Sequence, residues 1–211
     1  MNAEIIKDRL NRYIGFTYDE IHNLVDNKTS EGNKSKEAYV VQQLFNQLFN
    51  NEILKKEGKN RFCFANDLNI TLKSSRVGVN DTVQESSSFP TIGLDIINQE
   101  WDTSSVKNQL IETEFIWCFW KLQNNKQILT KVANYKIKEE NYSDIKQVWL
   151  NTKSQFVDKT YNFPKITENT VAHVRNNDAG KYELVDQLGG PVKKQCFWLN
   201  DKFINENIYK S

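Results

Sequence analysis

A chain of 211 residues, 38% hydrophobic and 12% aromatic, can bury a full core, which excludes a disordered segment and fits one domain or two tightly packed subdomains. Its net charge of +1 excludes a polybasic arm, so any nucleic-acid binding must come from local placement of Lys and Arg.

The first fifty residues read as helices. The apolar spacing predicts Ala3 to Ile14, then Tyr18 to about Val25 behind the capping box Thr17-x-x-Glu20. A third helix, Ser35 to Phe49, carries the stripe Val40, Leu44, Phe45 and Leu48. From about residue 60 the period changes to two. Strands are predicted around 61–66 and 69–77, then a polar loop holding "QESSSF", then a central hairpin of "IETEFIWCFWKLQ" and "KQILTKVANYKI" through Asn124-Asn125-Lys126. "SDIKQVWLNTKSQF" returns to helical spacing, with Ile145, Val148, Trp149 and Phe156 on one side. Short strands "NTVAHVR" and "KQCFWLN" follow, separated by a Gly-containing loop, and a last helix begins near Asn200. The pattern is mixed α/β: helices before and after a largely antiparallel sheet.

Cys63, Cys118 and Cys196 are odd in number, sit among aromatic residues and lack metal-ligand spacing, so they read as buried free thiols of a reducing cytoplasm. The N-terminal MNAEIIKDRL lacks the apolar run of a signal peptide, and no stretch is expected to span a membrane.

Three stretches bear on chemistry. "NITLKSSRV" alternates Ile70 and Leu72 on one face with Thr71 and Lys73 on the other. Metal-dependent nucleases often end their active-site strand in a carboxylate and a Lys two residues on, because both side chains then leave one face. Here Thr71 occupies the carboxylate position, and a plain strand with a solvated Lys73 accounts for the same residues. "AHVRN" puts His173 and Arg175 on one face, where the Arg suits phosphate or guanine contact; a His satisfied within the fold and a surface Arg fit equally. "GGPVKKQCFWLN" combines a Gly189-Gly190-Pro191 turn, Lys193, Lys194 and an aromatic strand, in which Phe197 and Trp198 serve as bases' neighbours or as core. His22 lies on a polar helix and is given no role.

Taken in order, "KSKEAYVVQQLFNQLF", "ITLKSSRV", "ESSSF", "NQEWD", "LIETEFIWCFWKL", "HVRN" and "KKQCFWLNDKFI" resemble the MutH and Sau-three-A type GATC endonucleases over nearly the whole chain. Within that family they look most like the C-terminal half of the two-domain restriction enzyme. The resemblance implies a restriction-endonuclease-like fold, a mixed sheet flanked by helices, with a DNA cleft between two lobes of one MutH-like domain over 1–211. It puts the family's acid-x-Lys strand on Thr71 and Lys73 and the upstream catalytic Asp near Asp67, at a shorter spacing. The family's helix Glu falls around Leu44 to Asn46, where there is no acid. His173 and Arg175 match its His-x-Arg element, and Trp198 an aromatic position at the recognition site.

Phosphodiester hydrolysis in this fold needs at least two carboxylates to hold Mg²⁺. With Thr71 neutral and the helix Glu missing, the expectation is a catalytically inactive, sequence-specific double-stranded DNA-binding domain: the effector-site half of a GATC-type restriction enzyme, in a bacterial cytoplasm. No catalytic residue is assigned, Asp67, Thr71 and Lys73 being a degenerate remnant, and no cofactor is expected. Lys73, His173, Arg175, Lys193, Lys194 and Trp198 are expected to face DNA, the lysines on phosphates and Arg175 or Trp198 nearer the bases. An N-terminal catalytic domain of the same enzyme or a second copy of the chain is the further partner. Two rivals remain open: an active Mg²⁺ nuclease using Asp67 with Glu85 or Glu112, and a stand-alone inhibitor module that binds protein.

Overall fold

The computed structural model describes residues 1–25, 36–58, 60–176, 182–184 and 191–211, with the backbone alone for residues 90, 182–184 and 191–193. In chain order the elements are α1 (Ala3–Asn11), α2 (Tyr18–Leu24), α3 (Lys36–Phe49), β1 (Ile53–Lys56), β2 (Arg61–Phe64), β3 (Asn69–Val77) and β4 (Ser87–Ile92). Then come α4 (Ser105–Leu110), β5 (Glu114–Gln123), β6 (Lys126–Tyr135), α5 (Tyr142–Val157), β7 (Ala172–Asn176), β8 (Tyr182–Leu184), β9 (Pro191–Lys193), β10 (Gln195–Leu199) and α6 (Asp201–Ile204). A π-helical turn over Asn205–Tyr209 follows α6. The chain divides into two compact units: Met1–Glu85 with Thr113–Lys136 and Asn205–Ser211, and Ser86–Glu112 with Ile137–Ile204.

The first unit is a mixed five-stranded sheet, β1-β2-β3-β5-β6, flanked by helices. Only β3 and β5 pair in parallel, and the chain between them supplies the crossover that a parallel pair requires. Local chemistry fixes the helices. The Asn2 side chain caps α1, and Thr17 and Glu20 form the reciprocal capping box of α2. The buried positions Ala3, Ile6 and Leu10 of α1 and Val40, Val41, Leu44, Phe45 and Phe49 of α3 recur every three or four residues, so each helix turns one stripe to the sheet. These stripes close over Ile70, Leu72, Ile116, Cys118, Trp120 and Leu129. Phe45 anchors the layer with its ring centroid 4.7 Å from that of Phe62 and 4.8 Å from that of Phe49. On the opposite face of β5, Phe115, Trp117 and Phe119 are buried too, and Tyr209 tilts onto Phe119 at 4.9 Å. Asn124 and Asn125 close the β5–β6 hairpin at φ 50° and 60°, the left-handed pair that a two-residue primed turn needs.

The second unit holds the antiparallel sheet β4-β10-β7 and the two-stranded ribbon β8-β9. The α5 residues Ile145, Val148, Trp149 and Phe156 are buried, as their spacing predicts. Four expectations are corrected or bounded. "QESSSF" is not all loop: Ser87, Ser88 and Phe89 belong to β4, an edge strand, which is where Pro90 is tolerated. Among the described residues the strands form two sheets and a ribbon, with one parallel pair. Cys63 is only half-buried, whereas Cys118 and Cys196 are buried; all three are free thiols. Ser35, Gly189 and Gly190 lie outside the described residues, and Pro191 opens β9. Among the described residues no helix is long and apolar enough to cross a membrane.

Candidate nucleic-acid interface

Strand β3 changes phase halfway along. Ile70 and Leu72 are buried on the helix-covered face, but past Lys73 the buried residues are Ser75 and Val77, on the face that carries Thr71 and Lys73. Two polar contacts explain the switch. Ser75 accepts a hydrogen bond of 2.8 Å from the indole N–H of Trp117, which satisfies a buried donor. Arg76, back on the helix face, pairs with Glu37 of α3 through Nη2, at 3.1 Å to Oε1 and 3.0 Å to Oε2. Glu37 is 4% exposed, so this pair keeps a buried carboxylate compensated. Hydrogen bonding to Glu37 raises the Arg76 pKa further above its ordinary value.

Leu44 to Asn46, where the resemblance put a helix acid, hold none, and the buried acid of α3 is Glu37. It stands about two turns or more earlier, and its oxygens are engaged by an Arg on the strand face opposite Lys73. Lys73 is half-buried and lies beside Trp117 in the parallel register. Thr71 shares its face, half-buried and neutral. Asp67 is exposed in the β2–β3 turn at φ 58°, donating its N–H to the Phe64 carbonyl at 3.0 Å, a turn role that suits Asp. Even from Asn69, where β3 starts, a strand rise carries the chain roughly 13 Å to Lys73. Glu85 and Glu112 are exposed. Among the described residues, no three His, Cys, Asp or Glu side chains gather in a way that could hold a metal ion.

The second unit brings three of the expected residues together. In the β7–β10 register Trp198 stands opposite His173 and Cys196 opposite Arg175, so the four side chains share one sheet face. Arg175 is exposed and lays its guanidinium carbon 4.0 Å from the centroid of the Trp198 ring. The His173 ring stacks on the same indole at 6.3 Å and 17°. Trp198 itself is half-buried, while its neighbours Phe197 and Leu199 point the other way into the core.

His173 does not present its ring to solvent as expected, being 3% exposed. Its Nδ1 lies 2.5 Å from Oδ1 of Asn200, whose amide nitrogen is already donating to the Asn169 carbonyl at 2.7 Å. Nδ1 is therefore the protonated nitrogen of the neutral ring. Burial pushes the His173 pKa below its usual value, with the nearby Arg175 charge adding to that and the Asn200 bond and Asp201 opposing it. Asn169 and Asn200 had no signal in the sequence, because a buried amide network is set by loop geometry and not by spacing.

Lys193 belongs to β9 opposite Tyr182, and its side chain lies outside the described residues. Lys194 is half-buried between β9 and β10. Elsewhere in this unit Asn169 and Asn200 line an open cleft of about 490 Å³ with Asp144, Glu168, Asp201 and Lys202. Three carboxylates against one ammonium make that cleft unsuited to phosphate.

No protein-family model matches the chain and no curated protein does, so the reading of this surface rests on its residues and geometry.

Proposed function

We propose that the protein binds double-stranded DNA sequence-specifically through the β7–β10 face of its second unit, and that its nuclease strand is catalytically inactive. In this reading it has the restriction-endonuclease-like fold and acts in a bacterial cytoplasm as the effector-site domain of a GATC-type restriction enzyme, as its resemblance to the MutH and Sau-three-A type proteins implies. One observation carries the reading: an exposed Arg175 guanidinium whose carbon lies 4.0 Å from the centroid of the Trp198 ring. Contact with an indole face restrains a guanidinium, whose N–H groups can make the paired contacts that a guanine edge accepts.

Two features support inactivity. Thr71 supplies no charge beside Lys73, and Asp67 serves a turn outside the strand. A phosphate-hydrolysing site of this type must fix Mg²⁺ with carboxylates at the strand that carries the Lys, to activate water and to stabilise developing charge. Lys73, Lys193 and Lys194 fit phosphate contacts, which give affinity without sequence information.

The test is an anisotropy titration of GATC and scrambled duplexes at two salt concentrations. Tighter binding to GATC at both concentrations is expected, together with a common loss of affinity as salt rises. Equal affinity for both duplexes defeats specific readout, and no binding to either defeats the DNA reading.

A further inference from the structure

The His173–Asn200 pair lies directly beneath the proposed recognition surface yet is shielded from solvent. Its connections are specific. Asn169 ties its Oδ1 to the backbone N–H groups of Val171 and Ala172 at 2.8 and 2.9 Å, and its carbonyl takes the Asn200 amide at 2.7 Å. The Asn200 N–H donates to the Val171 carbonyl at 2.9 Å, which fixes that residue from both ends. Asn200 then accepts from His173, His173 stacks on Trp198, and Trp198 carries Arg175.

We infer that Asn200 and His173 are positioning residues for Arg175: the amide sets the plane of the imidazole, the imidazole supports one side of the indole, and the indole holds the guanidinium in its DNA-reading orientation. The inference builds on the proposed DNA function but makes a claim about the free protein. The stack is a chain of flat groups, each restrained by the one before. Without Asn200 the imidazole loses its only bonded Nδ1 partner among the described residues and rotates about χ2, a torsion with broad wells. Trp198 is half-buried, so it has room to follow.

Protonation provides a second handle on the same chain. Among the described residues the charged groups that face His173 are Arg175, from its own strand, and Asp201, from α6. An imidazolium on Trp198 keeps its bond to Asn200 but repels the Arg175 guanidinium, so acid is expected to lift Arg175 off the ring while the fold persists.

The experiment is NMR of the Arg175 Nε–H group in the full chain, assigned with Arg175→Lys, beside the imidazole signals, His173 being separated from His22 by His22→Gln. Stacked over an indole, the Arg175 proton resonates upfield. It is expected to move to the unstacked position in Trp198→Ala, in Asn200→Ala and in His173→Ala, and to remain upfield in His173→Phe, which keeps a ring there. In the wild type it is expected to move with the midpoint of the His173 titration. An upfield Arg175 signal in folded Asn200→Ala overturns the inference. If Asn200→Ala does not fold, the wild-type titration decides: an Arg175 signal that ignores the charging of His173 overturns it equally. DNA titrations separate this from the functional reading. Asn200→Ala is expected to lose about tenfold of the preference for GATC, within the discrimination that one paired guanine contact provides. Coupled NMR signals with unchanged DNA preference in Arg175→Ala would leave the positioning intact and remove Arg175 as a reader of bases.

Discussion

The Arg175 guanidinium carbon rests 4.0 Å from the centre of the Trp198 indole, one strand over and two residues out of direct register. This diagonal contact joins an exposed cation to a half-buried ring, so its two members are separable by mutation. Arg175→Ala should cost little stability, about 0.5–1 kcal/mol for an exposed cation–π contact. It should remove most of the preference for GATC over a scrambled duplex, worth roughly 1–3 kcal/mol, while binding to the scrambled site persists. Thermal melts beside anisotropy titrations check both parts, and equal losses on both duplexes would reassign Arg175 to a phosphate.

His173 makes stability depend on pH with a defined sign. Burial lowers its folded pKa beneath the unfolded value of 6.5, so the fold favours the neutral ring. Above 6.5 neither state holds the proton and the full contribution is present. As pH falls below 6.5 the unfolded chain takes up the proton first, and the contribution is lost progressively down to the folded pKa. Urea melts of wild type and His173→Phe at pH 7.5 and 5.5 test this: the wild type should lose more stability between the two than the variant does.

The thiols should separate by access. Burial pushes Cys118 up to about 12, so almost no thiolate forms at neutral pH, whereas Cys63 is half-buried. Under native conditions Cys63 should react with a thiol-specific disulfide reagent first, and Cys118 only on unfolding. Early labelling of Cys118, read by mass spectrometry of peptides, would contradict the packing of β5.

Sequence periodicity made the helices legible through their one-sided stripes, and the apolar run of β5, buried on both faces, marked the central strand. The span 69–77 and the Asn124-Asn125 turn follow from alternation and left-handed turn chemistry. Strand β4 was hidden because "SSSFPT" is polar and carries Pro90, traits that an edge strand tolerates and that also mark loops. The halves of β3 face different ways because of Ser75–Trp117 and Arg76–Glu37, two pairings of partners about forty residues apart that no local pattern encodes. His173 and Arg175 were correctly expected on one face, but spacing says nothing of depth. Asn200 draws the imidazole inward while Arg175 stays out.

The Glu37–Arg76 pair should be strongly asymmetric to mutation. Arg76 is partly exposed and can be hydrated, but Glu37 is buried, so Arg76→Met leaves an uncompensated carboxylate and should cost about 1–3 kcal/mol. The double variant Glu37→Gln with Arg76→Met should recover part of that loss, because it removes the buried charge. A double-mutant cycle by denaturant unfolding measures the coupling, and additive losses would show the pair to be energetically idle.

Lys73 leaves β3 on the face that also carries Thr71, and a working site of this kind needs carboxylates there to hold Mg²⁺. Asp67 sits in the preceding turn, and Glu37 is held by Arg76 on the other face of the strand. Purified protein should therefore leave GATC duplexes intact with Mg²⁺ or Mn²⁺, on a timescale where an active GATC endonuclease run as a control cuts them. Thr71→Glu restores one acid on the correct face and should raise Mn²⁺ affinity, measurable by calorimetry, without restoring turnover, because a second ligand is still missing. Cleavage by the wild type that disappears in Asp67→Ala would overturn the inactive assignment and make the turn Asp a metal ligand. Cleavage gained by Thr71→Glu alone would mean that a second carboxylate already reaches Lys73's face.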